Sequence, residues 1–129
     1  MKQSFSKSWL ESKQPRKQRK YRYNAPLHIL GDFVNVNLSK ELRKKYSSRS
    51  VRVKKGDKIK VLRGQHKGKS GKVERVSLKY SRVYVAGVEL IKKDGTKNLI
   101  PLEPSNLQII EVDTSDKLRF KKINNEASK

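Results

Sequence analysis

The segment Gly64-Gln65-His66-Lys67-Gly68-Lys69-Ser70 sets glycines among cations at a spacing that could cradle a phosphate. The nucleotide-binding signature of this type keeps four residues between its glycines, whereas three separate Gly64 from Gly68. The next segment, Lys72 to Leu78, is β-type sequence and not the helix whose N-terminus would face a bound phosphate. No later strand ends in a carboxylate placed for magnesium, so nucleotide hydrolysis is the weakest reading. The glycines are expected instead to turn the backbone with positive φ and to admit a ligand closely. Arg63, Lys67, Lys69 and Lys72 would then face a phosphate backbone.

A second stretch carries a similar chemistry. Pro15 to Tyr23 holds five cations (Arg16, Lys17, Arg19, Lys20, Arg22) and two tyrosines, Tyr21 and Tyr23. Cations neutralise phosphates and release counterions, which makes affinity fall with salt. Arginine also stacks on bases, and tyrosine offers a flat face to an unpaired one. The alternative is a solvated charged tail or a localisation signal. His28 and His66 are the two histidines, and with no cysteine in the chain they are too few ligands for zinc. His66 reads as a hydrogen-bond donor or stacking group for RNA, and His28 as a helix-surface or packing residue. No nucleophile–base pattern stands out. The expectation is a non-enzyme with no catalytic residue, cofactor or metal.

The elements that must position these groups sit in a chain of 129 residues with a formal charge of +21, in which 33% of residues are hydrophobic and 35% charged. So much like charge repels itself in a compact isolated monomer, and a polyanion is the remedy. Nucleic acid leads, and an acidic membrane surface comes second. Residues 1–55 carry +13, 56–113 carry +5 and 114–129 carry +3. The middle therefore reads as the folded module and the flanks as binding segments: a basic N-terminal extension with one or two short helices (1–50), a barrel (51–113) and a basic C-terminal tail (114–129). No apolar run approaches the roughly 18–20 residues that span a bilayer. Nor does Met1 to Arg22 contain the apolar core of a signal peptide. An intracellular, cytoplasmic protein is expected, without membrane insertion and without a homo-oligomer.

Met1 to Gln14 is polar, with Phe5, Trp9 and Leu10 its large apolar residues, and is expected to be flexible in isolation. Trp9 reads as an anchor onto either the domain or a partner. Asn24 to Leu30 suggests a helix with Asn24 as cap and Pro26 in its first turn. Gly31-Asp32 interrupts that pattern. Leu38, Leu42 and Tyr46 repeat at helical spacing, Ser39 is a potential cap, and Ser47 to Ser50 reads as a linker. From Val51 the periodicity becomes that of strands. Lys54 to Asp57 is a polar turn, Lys58 to Leu62 alternates, and Val73 and Val76, three apart, suggest a bulge. Val83 to Val85 and Val88 to Ile91 are further strands. Asp94-Gly95 predicts a type I′ hairpin turn. Pro101 and Pro104 demote Leu102-Glu103 to edge or loop, and Leu107 to Val112 is a last strand. About five short strands around Val, Ile and Leu make a mostly-β fold, a small barrel, with everything from Asp113 onward on the surface.

Gly56-Asp57, Ile59, Val61, Arg63-Gly64, Lys67-Gly68, Gly71-Lys72-Val73 and Val76 resemble the KOW motif of ribosomal proteins and certain transcription elongation factors. That likeness implies an SH3-like barrel whose basic loop lies against RNA. Lys13 to Lys20, Asn24-Ala25-Pro26-Leu27-His28, Leu38 to Arg43 and Pro104-Ser105-Asn106 narrow it. In that order they resemble the large-subunit ribosomal protein family called L-twenty-four in bacteria, in its archaeal and eukaryotic branch (L-twenty-six in eukaryotes). The likeness runs from about Lys13 to Ile110. Ile29 to Asn37 departs from it, since the family usually carries a more basic helix there.

The resemblance implies a structural protein of the large ribosomal subunit that binds the 5′ region of the large ribosomal RNA and acts early in assembly. It also implies a place near the exit of the nascent-chain tunnel, with large-subunit ribosomal RNA and neighbouring large-subunit proteins as partners. The expected RNA-contacting set is Arg16, Lys17, Arg19, Lys20, Tyr21, Arg22, Tyr23, His28, Lys54, Lys55, Arg63, Gly64, His66, Lys67, Gly68, Lys69, Lys72, Lys79, Arg82, Ser105 and Asn106. The rival binding reading is a KOW-containing elongation factor touching RNA polymerase or nascent RNA. It would need a separate globular domain ahead of residue 51, and residues 1–50 are too basic and too poor in apolar side chains for one.

Overall fold

Alternation of aliphatic and polar residues dictates the core. Val34, Val36 and Leu38, then Val51 and Val53, Ile59 and Val61, Val83 and Val85, and Leu107 and Ile109 all point inward and are buried, joined by Val73 and Val88. The computed structural model describes residues 5, 6, 8, 9 and 11–120; Leu10 and residues 121–129 of the basic tail lie outside the described residues. In chain order the elements are helix α1 (Pro15–Asn24), the short helix α2 (Leu27–Leu30) running into a 3-10 turn (Gly31–Val34), strand β1 (Asn35–Leu38), helix α3 (Lys40–Tyr46) and strand β2 (Ser50–Arg52). There follow β3 (Lys58–Val61), β4 (Ser70–Ser77), β5 (Arg82–Val85), β6 (Glu89–Ile91), β7 (Lys97–Leu99), a second 3-10 turn (Pro104–Asn106) and β8 (Leu107–Glu111).

Six strands form one sheet in the order β2-β1-β8-β3-β4-β5, and β6 and β7 make a separate two-stranded ribbon. The last strand lies in the middle: β8 runs parallel to β1 (Leu38 opposite Ile109) and antiparallel to β3 (Ile59 opposite Ile109). The mostly-β, barrel-like fold with a helical N-terminus agrees with the sequence expectation, although eight strands form instead of about five. Two of the additional strands lie near the boundary at residue 51. Asn35–Leu38 reads as the frayed end of a helix because Gly31-Asp32 breaks the pattern, yet it pairs with β2 (Val36 opposite Val51) and buries Val36 and Leu38 completely. The sheet thus draws on the segment expected as an extension. The linker Ser47 to Ser50 ends as the first residue of β2.

Local chemistry accounts for the smaller features. Ser39 caps α3, its hydroxyl accepting from the Leu42 N–H at 3.4 Å. Asn24, expected as the cap of α2, instead ends α1, and Pro26 stands at the α2 N-terminus. The expected bulge is present: Val73 faces Val85 but Arg75 faces Tyr84, so β4 spends one residue more than β5. The Asp94-Gly95 turn differs from type I′, because Gly95 (φ 85°) takes positive φ while Asp94 does not. Lys92 and Thr96 close the turn by a 2.9 Å backbone bond, and the Asp94 carboxylate accepts from the Thr96 N–H and hydroxyl. The three-residue loop Lys93-Asp94-Gly95 costs one left-handed residue instead of two, which an aspartate capped this way makes sufficient.

The largest departure is at the C-terminal side. Asp57, expected in a polar surface turn, is fully buried. Its carboxylate accepts from Arg119 at 2.6 and 2.7 Å and from the backbone N–H groups of Lys54 (2.9 Å) and Asp113 (3.0 Å). The Arg119 side chain is 4% exposed and also donates to the Arg52 carbonyl at 2.9 Å. Phe120 stacks on Tyr46 with ring centroids 4.1 Å apart. Residues after Asp113 therefore do not simply lie on the surface, since a buried charge demands its partner and Arg119 supplies it. Around this pair, Asp116 binds Lys54 and Asp113 accepts from Ser115 N–H, at 3.0 Å in the second case. The Lys54 hydrogen bond holds the Asp116 pKa below the ordinary 3.8, and the Ser115 hydrogen bonds lower that of Asp113. Depressed carboxyl values mean a contribution to folding that is complete above pH 3.8 and is lost as pH falls through the lowered values.

Removing one partner of a buried pair leaves an uncompensated charge, so Arg119→Ala should lower folding stability by about 3–5 kcal/mol. Urea denaturation of the full chain measures it; a loss below about 1 kcal/mol would contradict the clamp.

Candidate nucleic-acid interface

Helix α1 has no apolar stripe of its own and buries none of its residues, so packing at a few points must hold it. Tyr21 provides it. Trp9 stacks on the Tyr21 ring (4.5 Å between centroids, 22° between planes), Phe5 lies 5.0 Å away, and Phe33 meets its edge at 6.4 Å. Arg22 sits 4.8 Å above the Phe33 ring in a cation–π contact. Because Phe33 belongs to the 3-10 turn that enters β1, these contacts fasten the helix to the barrel. Trp9 is thus an anchor onto the chain itself. Tyr21, expected to face RNA, has its ring taken up by this cluster.

With α1 held there, a groove of about 400 Å³ opens between the helix and the barrel. Arg19, Arg22 and Tyr23 line it from the helix; Lys79 and Tyr80 from the β4–β5 turn and Arg82 from the start of β5; and Pro104 and Ser105 from the second 3-10 turn. Tyr23 is 87% and Tyr80 65% exposed. Six of these residues belong to the set expected from sequence, where nothing indicates that they meet. Tyr80 does not belong to it, its only signal being an aromatic beside Lys79 in a turn. One cation is partly committed: Arg82 forms an ion pair with Glu103, which also lines the groove.

The glycine-rich loop forms a second basic surface. Its base is closed by backbone bonds from Gly68 N to Val61 O (2.8 Å) and Val61 N to Lys69 O (2.9 Å). Gly64 and Gly68 take φ of 96° and 90°, with open space where a Cβ would lie. Gly71 serves differently: a Cβ there would collide with the Ala86 carbonyl oxygen, so the glycine lets β4 cross close to the end of β5. Arg63, Lys67, Lys69 and Lys72 are exposed, and His66 is half-buried. Leu62 N donates to Asn106 O at 2.8 Å, so the turn that carries Ser105 into the groove also braces the loop.

Other expected residues stand apart. Arg16, Lys17 and Lys20 are exposed on α1, and His28 is exposed on α2; none of them lines the groove. Lys54 is tied to Asp116 at the buried clamp, while Lys55 beside it is exposed. Among the described residues no cluster of three or more acidic, histidine or cysteine side chains could hold a metal, and no helix is long and apolar enough to cross a membrane.

A small barrel carrying a helical leader, with cations gathered on a groove and a loop, defines the class of protein. The family model that describes the ribosomal proteins L26 of eukaryotes and their archaeal L24 counterparts matches residues 12–126, and the chain belongs to this family of structural, non-enzymatic proteins. The match takes in the C-terminal segment that the sequence likeness to Ile110 left out. The chain is 53% identical over 112 residues to "Large ribosomal subunit protein uL24" of Methanoculleus marisnigri, covering 87% of this chain and 93% of that protein. The protein of the same name from Methanospirillum hungatei is 50% identical over 89% of this chain and 96% of its own length. That from Methanothrix thermoacetophila is 51% identical over 85% and 95%.

The two kinds of glycine should separate on substitution. Gly68→Ala meets only backbone strain and should cost about 1 kcal/mol. Gly71→Ala must displace backbone and should cost about 3 kcal/mol. Denaturant midpoints of the two variants compare them directly, and equal losses would contradict the assigned roles.

Proposed function

We propose that this chain is a structural constituent of the large ribosomal subunit that binds large-subunit ribosomal RNA by neutralising phosphates from two basic surfaces. Arg16, Lys17, Arg19, Lys20 and Arg22 on α1 provide one, together with Lys79 and Arg82 across the groove. Arg63, Lys67, Lys69 and Lys72 on the loop provide the other, where Gly64 and Gly68 let the backbone approach closely and His66 donates. Ser105 and Asn106 stand between them, and His28, Lys54 and Lys55 take outlying contacts. In the assembled subunit the chain divides into a basic leader, a barrel and a basic tail, with β1 of the leader woven into the barrel. By the family likeness the RNA contacted is the 5′ region, binding is early in assembly, and the site lies near the tunnel exit, on cytoplasmic ribosomes among neighbouring large-subunit proteins.

The observation that carries this reading is the convergence of helix and barrel cations on one groove, braced through a single turn to the cationic loop. A net charge of +21 supplies the affinity and makes a polyanionic partner necessary for close packing. An elongation-factor reading finds no support in the leader, whose strand joins the same sheet as the barrel and forms no domain of its own.

With about eight phosphate contacts, binding to large-subunit RNA should fall with salt at a log–log slope of about −6 to −7. Filter binding from low to moderate salt tests this; a flat profile would overturn the reading. Replacing Arg63, Lys67, Lys69 and Lys72 together by alanine should flatten the slope by about 3 while circular dichroism stays unchanged.

A further inference from the structure

Phosphate contact alone leaves two features of the groove unexplained. Tyr23 and Tyr80 are among the most exposed large side chains of the described residues, and they line the same groove from opposite elements. Neither is needed for the core: Tyr23 lies in the last turn of a helix that buries none of its residues, and Tyr80 tops the turn between β4 and β5. The contrast with Tyr21 is informative. That ring, two residues earlier on the same helix, is enclosed by Trp9, Phe5 and Phe33, which is what a structural tyrosine on α1 looks like.

We propose that the groove between α1 and the β4–β5 turn is a seat for an unpaired stretch of RNA, with Tyr23 and Tyr80 stacking on bases while Arg19, Arg22 and Lys79 hold the flanking phosphates. The inference rests on the RNA-binding reading and adds what kind of RNA this site takes. Within a duplex the bases cover one another's faces, so a protein ring has nothing to stack on; bases in loops, bulges and single strands are free to do so. Aromatic faces beside a cationic track are the arrangement that binds single strands with little sequence preference. The groove's volume, about 400 Å³, is that of a site for a small number of planar groups. Its charge favours the same occupant: among the described residues, three cations there lack the acidic partner that Glu103 gives to Arg82. The Lys79 ammonium lies over one face of the Tyr80 ring, 5.4 Å from its centroid, so a base stacked on this ring would use the opposite face and have a positive charge across the ring for its phosphate.

The test compares a labelled ten-nucleotide uridine strand with a labelled twenty-base-pair RNA duplex by fluorescence anisotropy, using the full chain. For the wild type both bind, and the double variant Tyr23→Ala, Tyr80→Ala should weaken single-strand binding by at least about fivefold for each ring removed. Duplex affinity should stay within about twofold, because every cation remains. Tyr23→Phe with Tyr80→Phe should restore single-strand binding, since stacking needs the ring and not the hydroxyl. Equal weakening on both RNAs, or none on the single strand, would overturn the proposal while leaving phosphate binding intact. A wild-type chain that binds neither RNA would overturn the broader reading as well.

Discussion

Repulsion among cations is the constraint that shapes this molecule. Thirty-three lysines and arginines share 129 residues with twelve acids, so few positive charges can be matched internally. The fold answers by giving its interior over to aliphatic side chains and, among the described residues, turning most cations outward. The acids are spent locally, on single pairs such as Lys58–Glu111 and Lys97–Glu89, which exposure makes individually weak. Arg119 is the exception, drawn inside by Asp57. That pair is a costly way to close a barrel, but it fixes the β2–β3 turn, the end of β8 and the segment beyond it against one carboxylate.

Outward-facing charge would be diffuse if the helix that bears its densest run could roam. Four aromatic rings prevent that. Phe5, Trp9, Tyr21 and Phe33 bring α1 beside the barrel although it has no hydrophobic face of its own, and that helix forms one wall of the groove. The cationic loop is held by a different device, backbone bonds at its base and a brace from Asn106. One short 3-10 turn touches both regions, which gives two sequence-distant basic surfaces a shared support.

How much of this was legible beforehand depended on how local the signal was. Alternation at Lys58–Leu62, the β-type run Leu107–Val112, the Ser39 cap and the three-residue spacing of Val73 and Val76 are short-range patterns, and each corresponds to what forms. The Val51–Leu78 motif and the four separated family segments identified the lineage. Long-range pairing left no such trace. Nothing in Asn35–Leu38 announces a strand whose partners are about fifteen and about seventy residues away. Asp57 looks like any turn aspartate until Arg119 is brought to it. Tyr21 and Tyr23 look alike in the chain, and only the placement of Phe5, Trp9 and Phe33 makes one a spacer and the other an exposed face.

The position of β8 has a consequence for how the molecule comes into being. It is the last strand made, yet it lies between β1 and β3 and hydrogen-bonds to both. As the chain is synthesised, hairpins such as β3–β4 can close early, but the centre of the sheet stays vacant until residue 107 and those after it have emerged. Through most of its synthesis the polypeptide is therefore an open, highly basic chain with valines uncovered. A copy that stopped short of β8 would keep those valines uncovered, and only one carrying that strand would acquire a closed interior.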